Sequence, residues 1–247
     1  MSLQLNNITK TYGKRITTEA LKGINLSVKD GEFLGIMGPS GSGKTTLLNI
    51  IATIDHPTSG SVLINSQDPH AVSENQLALF RRRELGIVFQ SYNLLDTLTV
   101  RENIAMPMAL EKKSVNEIDS RVKELAALLG ISHLLDKMPY EISGGEAQRT
   151  AIGRAVVNKP SLLLADEPTG NLDSKSSTDV MSLLSKLNKE EGVTTVLVTH
   201  EAQAASYCER VIFIKDGGLN NEINKGDNDK QFFQQIMDVL TFFNTSI

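Results

Sequence analysis

The sequence predicts an α/β fold in which a parallel sheet of buried strands carries a ligand site at its carboxyl edge. Apolar runs at residues 33–37, 162–165 and 194–199 have the length of buried strands, and helical stretches separate them along the chain. A glycine-rich segment follows the first run, and two adjacent carboxylates follow the second. Because the carboxyl ends of parallel strands meet at one edge of a sheet, we expect these polar groups to lie together.

Shorter strand-like runs open the chain. Apolar and polar residues alternate over residues 3–8 and 24–28, and the second run ends before the turn Asp30-Gly31. A third run, at residues 61–65, follows the turn at residues 58–60. Alternation is typical of strands with one face on a core and the other in water. We therefore expect a small antiparallel β layer on the N-terminal side.

Residues 38–45 match every position of the phosphate-binding loop G-x-x-x-x-G-K-[ST]. A predicted strand precedes the loop and a helical segment, residues 46–51, follows it, which a glycine-rich turn with an exposed lysine would not require. Such a loop directs backbone N–H groups at phosphate oxygens, and the helix N-terminus adds partial positive charge. We expect a nucleoside triphosphate here, with Lys44 on the β and γ phosphates and Thr45 on Mg²⁺. The predicted cofactor contacts in this segment are Gly38, Pro39, Ser40, Gly41, Ser42, Gly43, Lys44, Thr45 and Thr46.

A helical region interrupts the strands in the middle of the chain. Residues 73–83 predict a helix, and residues 86–89 predict a strand that ends at Gln90. Apolar residues then recur at helical spacing over residues 118–129, and Gly130 is placed to end that helix. We expect an inserted helical subdomain between the strand before Gln90 and the next buried strand.

Asp166 and Glu167 directly follow the apolar run at residues 162–165. Two carboxylates at the end of a buried strand are costly without a cation. Our hypothesis is that Asp166 binds the metal, directly or through water, while Glu167 orients and deprotonates an attacking water. The alternative is an Asp-Glu pair that caps the helix after Pro168. A crossover helix at residues 174–189 then leads to the strand at 194–199, and residues 211–215 predict the last strand of the core.

Residues 142–149 read Ile-Ser-Gly-Gly-Glu-Ala-Gln-Arg at the start of a helical segment, where a serine and two N–H groups can hold a second phosphate. This stretch resembles the signature motif, usually L-S-G-G-Q, of the ATP-binding subunits of ABC transporters, and the resemblance covers nearly the whole chain. It implies the α/β, P-loop NTPase fold of ABC ATPases, with a RecA-like parallel core, an N-terminal antiparallel β layer and an inserted α-helical subdomain. It also implies a homodimer in which the signature of one copy closes over the γ-phosphate held by Lys44 of the other. The signature contacts are Ser143, Gly144, Gly145 and Glu146, the last standing where glutamine is commoner.

The same resemblance assigns roles to four further residues. Gln90 is similar to the residue that couples Mg²⁺ and the attacking water to the helical subdomain, and Asp173 to a contact with the opposite subunit. His200 resembles the histidine that contacts the γ-phosphate, and Tyr12 the aromatic residue that stacks on adenine. A lone histidine after a strand is usually structural, and an early tyrosine often packs at a strand edge, so those alternatives stay open.

These assignments predict a division of the chain. The β layer takes residues 1–35 and 58–66, the ATP-binding core takes 36–57, 67–90 and 158–218, and the helical subdomain with the signature takes 91–157. Residues 219–247 form a C-terminal tail whose apolar residues fall on one helical stripe. Such a stripe usually packs against its own domain, and a contact with a partner is the alternative.

Composition limits the partners. The chain has 247 residues, of which 25 are basic and 29 acidic, and its net charge of −4 argues against a nucleic-acid partner. It has a single cysteine, Cys208, and no apolar run long enough to cross a bilayer. We expect a protein at the cytoplasmic face of the cell membrane, held there through a separate transmembrane permease and not inserted directly.

Residues 93–104, 204–208 and 210–217 resemble the ATPases of peptide-antibiotic resistance transporters of the bacitracin type. That resemblance implies an ATP-driven permease that removes antimicrobial peptides, and an indirect link to a sensor kinase. The alternative is a regulatory or mechanotransmitting ATP switch on a membrane partner, of the cell-division or lipoprotein-release type, without solute transport.

Overall fold

The computed structural model describes residues 1–13 and 16–245, without the side chains of residues 244 and 245. Residues 14–15 of the predicted β layer and residues 246–247 of the predicted tail lie outside the described residues. The strands are β1 Leu3–Tyr12, β2 Thr18–Val28, β3 Phe33–Met37, β4 Ser59–Ile64, β5 Leu85–Val88, β6 Leu162–Asp166, β7 Thr194–Val198, β8 Arg210–Lys215 and β9 Gly218–Asn224. The helices are α1 Lys44–Ile51, α2 Glu74–Glu84, α3 Val100–Leu110, α4 Val115–Leu128, α5 Gly144–Val156, α6 Ser174–Glu191, α7 Ala202–Ala205 and α8 Asp229–Thr245.

The main sheet has the strand order β5-β6-β7-β3-β8-β9, and its first five strands run parallel. This confirms the predicted α/β class. In the register Asp166 lies beside Val198, and the end of β3 at Met37 lies beside Phe213. The segments that follow β3, β6 and β7 therefore leave the sheet at the same edge.

The sequence predicts residues 211–215 as the last strand of the core, but one more strand, β9, follows them in this sheet. The chain reverses at Asp216 and Gly217, both with φ in the left-handed region, and β9 pairs antiparallel with β8. The expectation was wrong because β9 is mostly polar and exposed, as suits an edge strand, so it lacks the apolar pattern of the central strands.

A second sheet, of order β2-β1-β4, is antiparallel throughout and confirms the predicted β layer. Alternation along β6 shows how the two faces of the main sheet are covered. Leu162 and Leu164 belong to a core cluster with the β layer and α1, whereas Leu163 and Ala165 belong to a cluster with the helices of the middle region.

The predicted boundary at residue 35 falls within β3, which pairs with β7 and β8 in the main sheet. The division of the chain otherwise stays a prediction.

The helices of the middle region begin at capping boxes. Thr99 and Glu102 form one at α3, and Ser114 and Glu117 form one at α4. Gly130, with φ +67°, follows the end of α4 where the sequence placed a stop. The stretch from α3 to α5 is therefore helical, as expected.

The apolar stripe of the tail packs against its own chain. Phe232, Ile236 and Phe243 on α8 are buried within a core cluster, and Phe243 meets Phe213 of β8 edge to face with ring centroids 5.9 Å apart. Over residues 1–13 and 16–245, no helix combines the length and the apolar character that spanning a bilayer demands.

Candidate functional site

The glycine-rich loop between β3 and α1 has the shape of an anion cradle. Gly38 has φ +150°, and a Cβ there would stand 2.1 Å from the carbonyl oxygen of Ile214, so a side chain cannot be accommodated. Gly43, with φ +108°, precedes α1, which has neither a side-chain cap nor an acidic residue in its first turn. The first N–H groups of α1 are thus open to an anion, which the helix dipole also favours.

The ammonium of Lys44 lies inside this loop. Its Nζ donates to the carbonyl oxygens of Gly38 at 2.8 Å and Pro39 at 2.9 Å, and the residue is only 8% exposed. Burial lowers the pKa of Lys44, against the opposing attraction of Glu167 and Asp166. These two carboxylates are therefore near enough to act on the ammonium electrostatically.

Glu167 has an unusual backbone conformation, and the side chain of its neighbour Asp166 is half-buried beside a second carboxylate. Glu167 has φ +47°, a conformation that costs a residue with a side chain about 1–2 kcal/mol. Its N–H donates to the Val198 carbonyl at 2.9 Å, and its carbonyl accepts from the Gly170 N–H at 3.0 Å, so the turn is held on both sides. Burial, followed by the charge of Glu167, raises the pKa of Asp166, although Lys44 acts in the opposite direction.

Three buried oxygens of the phosphate-binding loop and the carboxylate pair have no hydrogen-bond partner: Ser42 Oγ, Asp166 Oδ1 and Glu167 Oε2. Leaving such atoms unpaired is costly, and in native proteins each calls for an explanation. A magnesium triphosphate supplies one, because Mg²⁺ takes carboxylate and hydroxyl oxygens and the phosphate oxygens accept from a hydroxyl. The residues present therefore fit ATP with Mg²⁺.

His200 lies two residues beyond the end of β7, and its Nδ1 is 2.8 Å from Glu167 Oε1. The histidine side chain is 65% exposed and that of Glu167 only 16%. One carboxylate oxygen of Glu167 is therefore positioned by the imidazole while the other remains unpaired. The sequence predicted both residues, and the structure brings them together.

Gln90 follows β5 by two residues and contacts the loop before α6. Its Nε2 donates to Asn171 Oδ1 at 3.4 Å, and Asn171 Nδ2 donates back to the Gln90 carbonyl at 3.1 Å. Asp173, expected at a subunit contact, accepts from the N–H groups of Lys175 and Ser176 and caps α6 within its own chain.

Tyr12 ends β1 and is 42% exposed. Its hydroxyl donates to Asp55 Oδ2 at 2.6 Å, and Lys10 Nζ lies 4.8 Å from the ring centroid while bonding the other oxygen of Asp55 at 2.5 Å. Burial, and then Asp55, raise the pKa of Tyr12, with an opposing hydrogen bond from Thr46 of α1. The ring is thus fixed beside the helix that starts at the phosphate-binding loop. Sequence reasoning missed Asp55, since nothing local marks it.

The signature segment forms a separate helix start. Ser143 caps α5, and both Ser143 and Gly144 are exposed. The N–H and hydroxyl of Ser143 bond to Glu146, and its carbonyl accepts from the Ala147 N–H at 2.9 Å. These hydrogen bonds of Ser143 stay within the first turn of α5 and do not reach Lys44 of the same chain. The sequence also gave no sign of Arg154, further along α5. Its guanidinium donates to the carbonyl oxygens of Asn93 at 2.6 Å and Tyr92 at 2.9 Å, just after Gln90.

The parallel sheet, the phosphate-binding loop at its carboxyl edge and the carboxylate pair beside that loop define a P-loop nucleoside triphosphatase. A comparison with protein families narrows the class. The family described as "ABC transporter" matches residues 21–170, and the chain belongs to that family. It is an ATPase that binds ATP with Mg²⁺.

Similar proteins cover almost the whole chain. The ABC transporter ATP-binding protein YxdL of Bacillus subtilis (strain 168) is 56% identical over 97% of this chain and 93% of its own length. The bacitracin export ATP-binding protein BceA of Halalkalibacterium halodurans is 49% identical over 95% of this chain and 94% of its own. The lipoprotein-releasing system ATP-binding protein LolD 1 of Rhodopseudomonas palustris is 44% identical over 88% and 97%.

A solved structure shares the fold. The ATP-binding cassette MJ0796, in a dimeric post-hydrolysis state bound to ADP and Pi, aligns with a TM-score of 0.84 at 42% identity. The alignment covers 91% of this chain and 99% of that chain.

Proposed function

We propose that this chain is the motor subunit of an ABC transporter, in which two copies bind ATP between them head to tail. Each site takes the phosphate-binding loop from one copy and the N-terminus of α5 from the other. The observation that carries the proposal is the pair of buried carboxylate oxygens, on Asp166 and Glu167, that lack partners beside Lys44. The dimeric state of the MJ0796 cassette supports the arrangement.

The residues around the loop divide the work of phosphoryl transfer. Lys44 and the N–H groups of residues 38–46 hold the β and γ phosphates. Thr45, Asp166 and Gln90 would hold Mg²⁺, which would neutralise negative charge on the phosphates during transfer. Tyr12 stacks on adenine, kept in place by Asp55.

Glu167 is the general base in this proposal. Its Oε2 accepts the proton of the attacking water, while Oε1 stays hydrogen-bonded to His200 Nδ1. His200 is exposed enough to reach the γ-phosphate as well. From the partner copy, Ser143, Gly144 and Gly145 supply further donors to that phosphate, with Glu146 beside them. Asp173 lies at the contact between copies.

The fit of Glu167 to this role can be tested in one experiment. We expect Glu167→Gln to bind ATP and form a stable dimer but to hydrolyse about 10²–10⁴-fold more slowly, the usual loss for a missing general base. Binding by calorimetry, dimer formation by sedimentation and hydrolysis by phosphate release measure the three properties. Lys44→Ala is the contrasting variant and should lose ATP binding. Wild-type turnover in Glu167→Gln would remove the base assignment.

We further propose that the motor drives a permease for antimicrobial peptides. The support is the similarity to a bacitracin export ATP-binding protein at 49% identity. The chain would then act at the cytoplasmic face of the membrane, attached through a transmembrane permease on a separate chain, with an indirect link to a sensor kinase. Because LolD 1 is 44% identical, a mechanical role in lipoprotein release or a related switch is the second candidate.

Two measurements separate these candidates. The first is purification of the ATPase with its membrane partner, followed by identification of that partner's membrane helices and external domains. The second is the sensitivity of a deletion strain to bacitracin, complemented by the wild-type chain or by Glu167→Gln. Hypersensitivity that only the active chain reverses supports peptide removal. Unchanged sensitivity together with a lipoprotein-release defect supports the mechanical role.

A further inference from the structure

Glu146 places a carboxylate at the same helix end that the proposed function assigns to the partner's γ-phosphate. Its Oε2 accepts from the Ser143 N–H at 2.8 Å and from the Ser143 hydroxyl at 2.7 Å. The hydrogen bonds from the Ser143 hydroxyl and N–H are the main causes that lower the pKa of Glu146. The side chain is therefore anionic at neutral pH.

These two hydrogen bonds use up the donors of Ser143. A serine hydroxyl has one proton to donate, and here it goes to Glu146 together with the backbone N–H. A phosphate that arrives at α5 would still meet the N–H groups of the first turn, but it would not find the serine hydroxyl free. It would also approach a like charge, because the Glu146 carboxylate lies within hydrogen-bond distance of the Ser143 N–H and hydroxyl.

We propose that Glu146 acts as an internal anion that occupies the signature donors in the open subunit and competes there with the γ-phosphate bound to the partner copy. In this way it sets the ATP concentration at which two copies close. The inference rests on the proposed head-to-tail site. It makes Glu146 a residue that tunes closure, in addition to its part in capping α5.

A purely structural role for Glu146 is the competing explanation, and the chain contains a matched control for it. Ser114 and Glu117 form the same capping box at the start of α4, with Glu117 Oε2 accepting from the Ser114 N–H at 3.0 Å and from its hydroxyl at 2.7 Å. Glu117 belongs to no part of the proposed ATP site. Glutamine can also close a capping box, so Glu→Gln at either position keeps the acceptor and removes the charge.

The experiment compares three full-length proteins: Glu167→Gln alone, Glu167→Gln with Glu146→Gln, and Glu167→Gln with Glu117→Gln. Slow hydrolysis in this background keeps ATP intact while sedimentation velocity measures the dimer dissociation constant with ATP and Mg²⁺. Removing one opposing charge at a site is expected to tighten it about tenfold, and the two sites of a dimer together about a hundredfold. The dimer dissociation constant of the Glu117→Gln protein should stay within about twofold of the background value, because Glu117 is no part of the proposed ATP site. That is well below the change of about tenfold expected for one opposing charge.

Each result decides between the explanations. A dissociation constant that falls only with Glu146→Gln supports competition. If both variants behave like the background, or if Glu146→Gln weakens the dimer, the inference is overturned while the head-to-tail site stands. If the background protein forms no dimer with ATP, the proposed function fails and the inference fails with it. Thermal unfolding of all three proteins shows whether the two capping substitutions disturb the fold equally.

Discussion

Arg154 should hold the segment after Gln90 in a strained conformation. Its guanidinium, on α5, donates to the carbonyl oxygens of Tyr92 and Asn93. These two consecutive residues have φ +60° and +50°, in the region that side chains disfavour. Burial of the guanidinium lowers the pKa of Arg154, which marks it as partly removed from water. We predict that Arg154→Ala releases this segment from α5.

The size of the effect follows from the two opposing contributions. A left-handed conformation costs about 1–2 kcal/mol per residue, and less for asparagine, so the strain at Tyr92 and Asn93 is about 2–3 kcal/mol. Two hydrogen bonds from a charged donor contribute about 1.5–3 kcal/mol each, which is enough to outweigh it. When Arg154 is removed the segment relaxes and recovers its strain. The free energy of unfolding should therefore fall by only about 1–3 kcal/mol, well below the full value of the lost bonds.

Hydrogen exchange measures the release directly. The amides of Tyr92 and Asn93 donate to the carbonyl oxygens of Phe89 and Ser91, so their protection reports on the segment's conformation. In Arg154→Ala, exchange over residues 90–93 should accelerate while α5 itself keeps its protection. Arg154→Lys retains the charge without the planar fork and should show an intermediate rate. Identical exchange over residues 90–93 in Arg154→Ala and wild type would refute this reasoning.

Two further predictions concern stability and nucleotide affinity. Burial raises the pKa of Asp55, but the hydrogen bonds from Lys10 and Tyr12 outweigh burial and leave that pKa below 3.8. The ionised Asp55 therefore stabilises the fold above pH 3.8, and this stabilisation is lost as pH falls through the lowered pKa. Asp55→Asn should reduce the melting temperature at pH 7 relative to wild type, and the difference should shrink as pH falls below the ordinary pKa of an aspartate. It should also weaken ATP affinity by freeing Tyr12. Equal melting temperatures at pH 7 would contradict this prediction. Phe232→Ala should cost about 3–5 kcal/mol because this ring is 1% exposed in the core, with no change in ATPase rate well below the melting temperature. The matched variant Met237→Ala on the same helix, where the residue is 38% exposed, should stay within about 0.5 kcal/mol in denaturant unfolding, and a similar loss in both would show that α8 is not packed as described.

The sequence was most informative where burial restricts residue choice. β3, β6 and β7 are buried along nearly their whole length, so their apolar runs predicted them to within a residue or two. β9 was not predicted because it is an exposed edge strand, and its mostly polar residues show no apolar pattern that would mark a strand. The tail stripe was visible, but its burial depends on the rest of the fold, which local spacing does not contain.

The candidate site divides in the same way. The phosphate-binding loop and the pair after β6 are contiguous in sequence, so spacing alone reveals them. The contacts that position the individual side chains join residues far apart: Tyr12 with Asp55, Gln90 with Asn171, and Tyr92 with Arg154. Asparagine, aspartate and arginine at such positions look like ordinary surface residues until the fold brings their partners to them.

The signature turn packs against Tyr92, in the loop after β5, and against Ser176, in the first turn of α6. A Cβ on Gly144 would stand 2.8 Å from the hydroxyl oxygen of Tyr92, and a Cβ on Gly145 would stand 3.0 Å from Ser176 Oγ. Ser176 is in turn bonded to Asp173, the cap of α6. Only glycine allows this close approach on both sides, so a movement of Tyr92 or Ser176 toward α5 would have to displace α5. Within one chain, the loop after Gln90 and the start of α6 therefore contact the segment that the proposed function assigns to the partner's ATP.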